Sequence, residues 1–249
     1  MPGLVASHRS AARLWGIEVL REELEFTDPL GAGRKTGARV HWLPLPPAEI
    51  TVVGDLRVTT VARTLADLLR RGPREDAVVA LDSALSSRRY GGRQWRGPLI
   101  GGLDTVAAAL DSPPVARSAG AVRARRWLTL ADAEAGSPAE TVARLRMRDA
   151  GLRPESQARI LTPTGRLLRP DFFFREEGVV VEIEGYAYHG TKEAHRRDRS
   201  RYNDLSSCPE VRAVLRFAAE EVFTAPDAFV GRVRAAVEGV RVGAGVRLG

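Results

Sequence analysis

The residues best suited to chemistry lie in Arg169-Pro170-Asp171 and in the run from Val179 to Gly185. Val179, Val180, Val181 and Ile183 mark a buried central strand. Glu182 and Glu184 are two apart, so both carboxylates leave the same face of that strand. Two like charges about 7 Å apart on a largely buried strand are costly unless something positive faces them. A divalent cation or a set of arginines such as Arg201 or Arg216 meets that need. Asp171 precedes Glu182 by 11 residues, and a tight connection at 175–178 brings the two side by side. Two or three carboxylates with water oxygens suit Mg²⁺ or Mn²⁺ without any His or Cys ligand. Asp171 and Glu182 are the expected ligands, and Glu184 is either a third or the partner of an arginine. His189, just past the strand, can serve as a general base.

These side chains need a scaffold, and the sequence outlines one. From residue 137 the order reads helix, three strands, helix, strand, helix. Ser137-Pro138-Ala139-Glu140 is a capping box with proline at the first helical position, which explains Glu140 without a metal role. The spacing predicts strands at 157–161, 167–174, 179–184 and 211–217, and helices at 192–206 and 225–240. At 100° per residue, Ala194, Asp198, Arg201, Tyr202 and Leu205 share one face, so Asp198 and Arg201 point toward the sheet. Arg196 and Arg199 face outward and suit phosphate contact or solvation. An alternation of this kind is an α/β arrangement, a mixed sheet flanked by helices.

Residues 1–136 read as a mostly helical α+β domain, and 137–249 as the second domain. A helix is expected at 10–15, extended segments at 22–27, 38–43 and 49–53, and a helix capped by Thr59 or Thr60 with Leu65, Leu68 and Leu69 in the core. Further helices are expected at 75–86 and, strongly basic, at 115–132, with a glycine-rich loop at 91–102 between them. Gly31-Ala-Gly-Arg-Lys-Thr-Gly37 lacks the four-residue gap of a phosphate loop and no helix follows it, so nucleotide binding is not expected.

Composition bounds the partners. Lys plus Arg total 38 against 31 Asp plus Glu, a net charge of +7, and only Lys35 and Lys192 are lysines. Arginine matches phosphate geometry, so a polyanion such as DNA is the expected partner. Cys208 is the only cysteine, which excludes an intrachain disulfide and suits a reducing cytoplasm. No leader-like start and no apolar run near 18 residues is present, so neither a signal peptide nor a membrane span is expected.

Pro170-Asp171 followed by Glu182-x-Glu184 resembles the PD-(D/E)XK nuclease core. Residues 137–222 more closely resemble the very-short-patch-repair-like (Vsr-like) endonuclease-fold domains of unknown function. The resemblance rests on an ordered series: Ser137 to Glu140, Gly151 to Gln157, Asp171, Val181 to Gly185, His189, Asp198 to Arg201, and Val214 to Phe217. It implies a restriction-endonuclease-like fold and Mg²⁺-dependent hydrolysis of DNA phosphodiesters. Asp171, Glu182, Glu184, His189 and Asp198 would be catalytic, and Arg196, Arg199 and Arg201 would contact nucleic acid. Glu184 stands where the Vsr-like domains usually have Asp and the wider superfamily has Lys, and Lys192 on the next helix is either exposed or a substitute for that lysine. The alternative is therefore a DNA-binding regulator or antitoxin-like protein that keeps the fold without turnover. Ser7 to Gly16 and Val58 to Leu68 are similar to the central region of AbiEi antitoxin-like proteins, without the winged helix that usually opens those chains. That similarity implies a protein partner in a toxin–antitoxin or defence system and leaves the oligomeric state open.

Overall fold

The computed structural model describes residues 3–31, 37–86, 99–112, 115, 120–185 and 200–245. The protein is of the α/β class, with mixed sheets and interleaved helices. It divides into two compact units, residues 1–141 and 142–249.

In the first unit a five-stranded mixed sheet carries helices between and after its strands. The elements are β1 (Val5–Ala6), α1 (His8–Trp15), β2 (Glu25–Thr27), β3 (Arg39–His41), β4 (Ile50–Val53) and β5 (Leu56–Thr59). Four helices follow: α2 (Val61–Arg71), α3 (Arg74–Leu85), α4 (Leu103–Asp111) and α5 (Ala121–Leu128). The sheet order is β3-β2-β1-β5-β4, with β1 antiparallel to β2 and parallel to β5. Strands β2 and β3 run parallel, so Thr27 stands beside His41. Thr60 caps α2 by accepting a hydrogen bond from the Arg63 N–H. Leu65, Leu68 and Leu69 then pack with Leu81, Val106 and Leu110 from α3 and α4.

Some sequence expectations need correction here. The basic helix expected at 115–132 is α5, eight residues long, starting after Gly120. Gly120 has φ +88° and its α-carbon approaches the Arg70 carbonyl so closely that a Cβ would meet that oxygen at 2.5 Å. At the other end the Asp132 N–H bonds the buried Asp82 carboxylate, a tertiary contact that draws the chain out of the helix. Strands β1 and β5 and helix α4 are additions to the sequence reading.

The second unit begins at residue 142, within α6 (Pro138–Asp149). Its further elements are β6 (Glu155–Ser156), β7 (Ile160–Leu161), β8 (Leu167–Leu168), β9 (Phe172–Phe174) and β10 (Val179–Glu184). Then come a helix over residues 200–206 (α7), β11 (Ala213–Ala218), α8 (Ala219–Thr224) and α9 (Pro226–Gly245). The four-stranded sheet has the order β11-β10-β9-β6, with β9 antiparallel to β10 and to β6, and β11 parallel to β10. Strands β7 and β8 form a separate hairpin. Val180 and Phe173 pack against Ile160, Leu168, Leu205 and Cys208. Cys208 is thus a core residue, its thiol pushed up by burial.

The strands expected at 157–161 and 167–174 are each interrupted. Gln157 adopts φ +50°, which ends β6 before β7 begins. Pro170 lacks an N–H, and Asp171 meets β10 through side-chain bonds, its N–H to the Glu182 carboxylate and its own carboxylate to the Ile183 N–H, so the ladder begins only at Phe172. The helix expected at 225–240 begins at Pro226, after the separate helix α8 and a non-helical Ala225.

Candidate functional site

The β9–β10 hairpin brings the predicted carboxylates together. Gly178, at φ +69°, donates its N–H to the Phe174 carbonyl at 2.8 Å and closes the turn. A Cβ there would meet the Glu210 carbonyl oxygen at 2.5 Å, so the tight turn requires glycine. From that turn the register pairs Val181 with Phe172, which sets Glu182 beside Asp171. The Asp171 N–H donates to Glu182 Oε2 at 3.2 Å, and the Ile183 N–H donates to Asp171 Oδ2 at 2.7 Å. Gln157 donates its amide N–H to Asp171 Oδ1 at 3.0 Å. Asp171 is therefore fixed by three neighbours before any ligand arrives.

Both glutamates meet arginine. Arg201 on α7 donates through Nε and Nη2 to Glu182 Oε1, at 3.1 and 2.8 Å, and through Nη2 to the Arg169 carbonyl at 2.7 Å. Arg216 on β11 pairs with Glu184, its side chain about as exposed as its partner's. The register explains the second pair: Glu182 stands beside Arg216 and Glu184 beside Ala218 on the parallel neighbour, so a long Arg216 side chain reaches along the strand. The Arg216 guanidinium also lies over the Tyr202 ring, 6.0 Å from its centre. A cavity of about 260 Å³ opens here, lined by Asp171, Glu182, Glu184, Arg201, Tyr202 and Arg216.

Of the sequence-predicted site residues, Asp171, Glu182, Glu184 and Arg201 share this cavity. His189, Lys192, Arg196, Asp198 and Arg199 lie outside the described residues. Glu140 is a helix cap: its carboxylate accepts the Gly136 N–H at 2.9 Å, while Ser137 Oγ accepts the Glu140 N–H at 3.2 Å.

A second polar cluster, absent from the sequence reading, lies in the first unit. His8, Glu25 and His41 are all buried, and one ligand atom from each falls within 4.8 Å of the others. This group can hold a metal ion. His41 Nε2 donates to Glu25 Oε1 at 3.1 Å, and the imidazoles of His8 and His41 stack with centroids 3.7 Å apart. Arg9 donates its backbone N–H and Nη1 to Glu25 Oε2, at 3.0 and 3.1 Å, and its Nε to Asp76 at 2.6 Å. Burial pushes Glu25 up, but the His41 hydrogen bond, the Arg9 N–H and the nearby charges outweigh it and bring the carboxyl down to about 2. Burial is the main cause that lowers His8 to about 4, so its ring is neutral near pH 7. The chain has only four histidines, and no spacing along it pairs His8 with His41.

Over 204 residues the chain is 29% identical to the uncharacterized protein MT2308 of Mycobacterium tuberculosis strain CDC 1551 / Oshkosh. It is equally similar to the uncharacterized protein Rv2248 of M. tuberculosis strain ATCC 25618 / H37Rv, each match covering 81% of this chain and 70% of the relative. No family model matches the chain, and no solved structure does.

Proposed function

We propose that the second unit is a Vsr-like, restriction-endonuclease-like domain that hydrolyses DNA phosphodiester bonds with Mg²⁺ or Mn²⁺. The observation that carries the reading is the meeting of Asp171 and Glu182 at one cavity on neighbouring strands. The order of elements supports it: a helix, three antiparallel strands, a helix and a parallel strand at the sheet edge. The donor set fits a hard divalent ion, since both groups offer carboxylate oxygens and Glu182 Oε2 accepts only the Asp171 N–H among the described residues. When bound there, such an ion supplies an activated water and charge stabilisation at the scissile phosphate.

The chain's own residues do the rest. Asp171 and Glu182 hold the ion, and the Gln157 and Ile183 donors keep Asp171 aimed at it. Arg201 and Arg216 are a third exposed and can turn from their glutamates to a phosphate oxygen. His189 takes a proton, Glu184 and Asp198 shape the site, and Arg196 and Arg199 contact the backbone of the DNA. On the same proposal the protein works in the cytoplasm, with a protein partner from a toxin–antitoxin or defence system.

A second reading is favoured by one observation. Arg201 and Arg216 already neutralise Glu182 and Glu184, an arrangement sufficient for a DNA-binding regulator without turnover. Supercoiled plasmid incubated with Mg²⁺ or Mn²⁺ separates the two. Nicking by the wild type that Asp171→Asn and Glu182→Gln both lose supports the nuclease. Salt-dependent DNA binding with no nicking under either ion supports the regulator.

A further inference from the structure

We propose that His8, Glu25 and His41 bind a transition-metal dication of the Zn²⁺ class in the first unit. The inference is independent of the nuclease reading, because its residues belong to the other compact unit.

The donor types come first. Two imidazoles and a carboxylate are a common ligand set for Zn²⁺ and related dications, and unlike the Asp171 site they include nitrogen. The three residues come from α1, β2 and β3, with whole-residue exposures of 1%, 1% and 5%. Such burial keeps competing water away and makes an ion there a structural tie between the elements.

The second observation is an orphaned donor atom. His8 Nδ1 is bonded to Ser7 Oγ at 3.0 Å, whereas His8 Nε2 is buried without a hydrogen-bond partner. A buried polar nitrogen left unpaired is destabilising, and a metal ion removes that cost. Thr27 Oγ1 is likewise buried and unpartnered. Thr27 is two residues from Glu25 on the same strand face and stands beside His41 in the parallel register. Its hydroxyl suits a water that completes the ion's coordination.

Charge points the same way. Arg9 lies between Glu25 and Asp76, whose side chains are each 2% exposed, so two buried carboxylates share one guanidinium. A cation at Glu25 Oε1 balances the second carboxylate, while Arg9 retains Oε2. The backbone holds His8 at some expense: its φ is +49°, in the left-handed region that side-chain-bearing residues seldom adopt.

Binding requires a local change. The stacked rings are 17° from parallel, so their nitrogen lone pairs lie in nearly parallel planes and one ring must turn to share an ion. His41 gives up its Nε2–H contact with Glu25, and that proton exchanges through solvent to Nδ1, leaving the imidazole neutral.

The test uses the full chain, stripped with a chelator and then titrated with Zn²⁺ and Co²⁺. The expected result is one tightly bound equivalent, a visible Co²⁺ absorption band and a higher melting temperature. His8→Ala, His41→Ala and the isosteric Glu25→Gln should each weaken binding by at least about tenfold. X-ray absorption of the Zn²⁺-loaded wild type should show imidazole nitrogen around the metal, which covers the case in which the variants fail to fold. Absence of a stoichiometric ion in the wild type overturns the proposal. So does a folded Glu25→Gln protein that binds as tightly as wild type, or a metal shell without imidazole.

Discussion

Glu25 and Glu182 each sit on a strand against an arginine, yet they inhabit opposite environments. The Glu25 and Arg9 side chains are 2% and 5% exposed. The Glu182 and Arg201 side chains are 13% and 36% exposed, and a cavity opens beside them. A closed pair cannot exchange partners without unfolding its surroundings, because either charge left alone pays a desolvation cost. An open pair can, because water screens both charges while the arginine turns away. The same two residue types therefore build a fixed joint in one unit and an exchangeable site in the other.

The comparison breaks most severely if the closed pair proves dispensable. Arg9→Ala strands Glu25 and Asp76, and should destabilise the protein by about 3–5 kcal/mol in urea unfolding. A loss below about 1 kcal/mol would show that the cluster is better hydrated than its burial implies.

Acid should find the closed cluster next. His8 keeps a folded value of about 4 against an ordinary 6.5, so the unfolded chain takes up that proton first. Stability from His8 is complete above pH 6.5 and is lost as pH falls toward 4, on the order of 3 kcal/mol. Glu25, held near 2 against 4.5, adds stability above pH 4.5 that is lost as pH falls toward 2. Urea midpoints measured on metal-free protein across pH 7 to 4 check the first window; a flat profile would contradict it.

The open pair should behave otherwise. Arg201→Ala should cost only about 1 kcal/mol in stability, because both partners reach solvent. The same change removes a competitor for Glu182, so Mn²⁺ should bind several-fold tighter while DNA affinity falls. Weaker Mn²⁺ binding would mean that Arg201 supports the site rather than competes for it. The smallest effect belongs to Arg175, which bridges Glu155 and Glu210 with its side chain 45% exposed. Arg175→Ala should cost about 0.5 kcal/mol, and that difference should vanish in 1 M salt.

The open site was legible in the sequence because its logic is local. Asp171 and Glu182 are 11 residues apart across one hairpin, and strand alternation with a glycine turn is enough to pair them. Arg201 follows from the helical face that it shares with Tyr202 and Leu205. The closed cluster was not legible, since it depends on pairings between distant segments. Strand β1 is two residues long, too short to show alternation, yet it sits between β2 and β5 and orders the sheet. The parallel pairing of β2 with β3 sets Thr27 beside His41, and no spacing along the chain encodes that. Helix α4 was missed because Ala107, Ala108 and Ala109 blur the amphipathic pattern behind a glycine-rich stretch.

The central claim is that the open cavity, not the closed cluster, takes the hard divalent ion. Mn²⁺ binding followed by the loss of its free-ion paramagnetic resonance signal tests this directly on wild type, Glu182→Gln and Glu25→Gln. The account predicts that the site lost in Glu182→Gln is retained in Glu25→Gln. Mn²⁺ binding that survives Glu182→Gln and disappears in Glu25→Gln would contradict it.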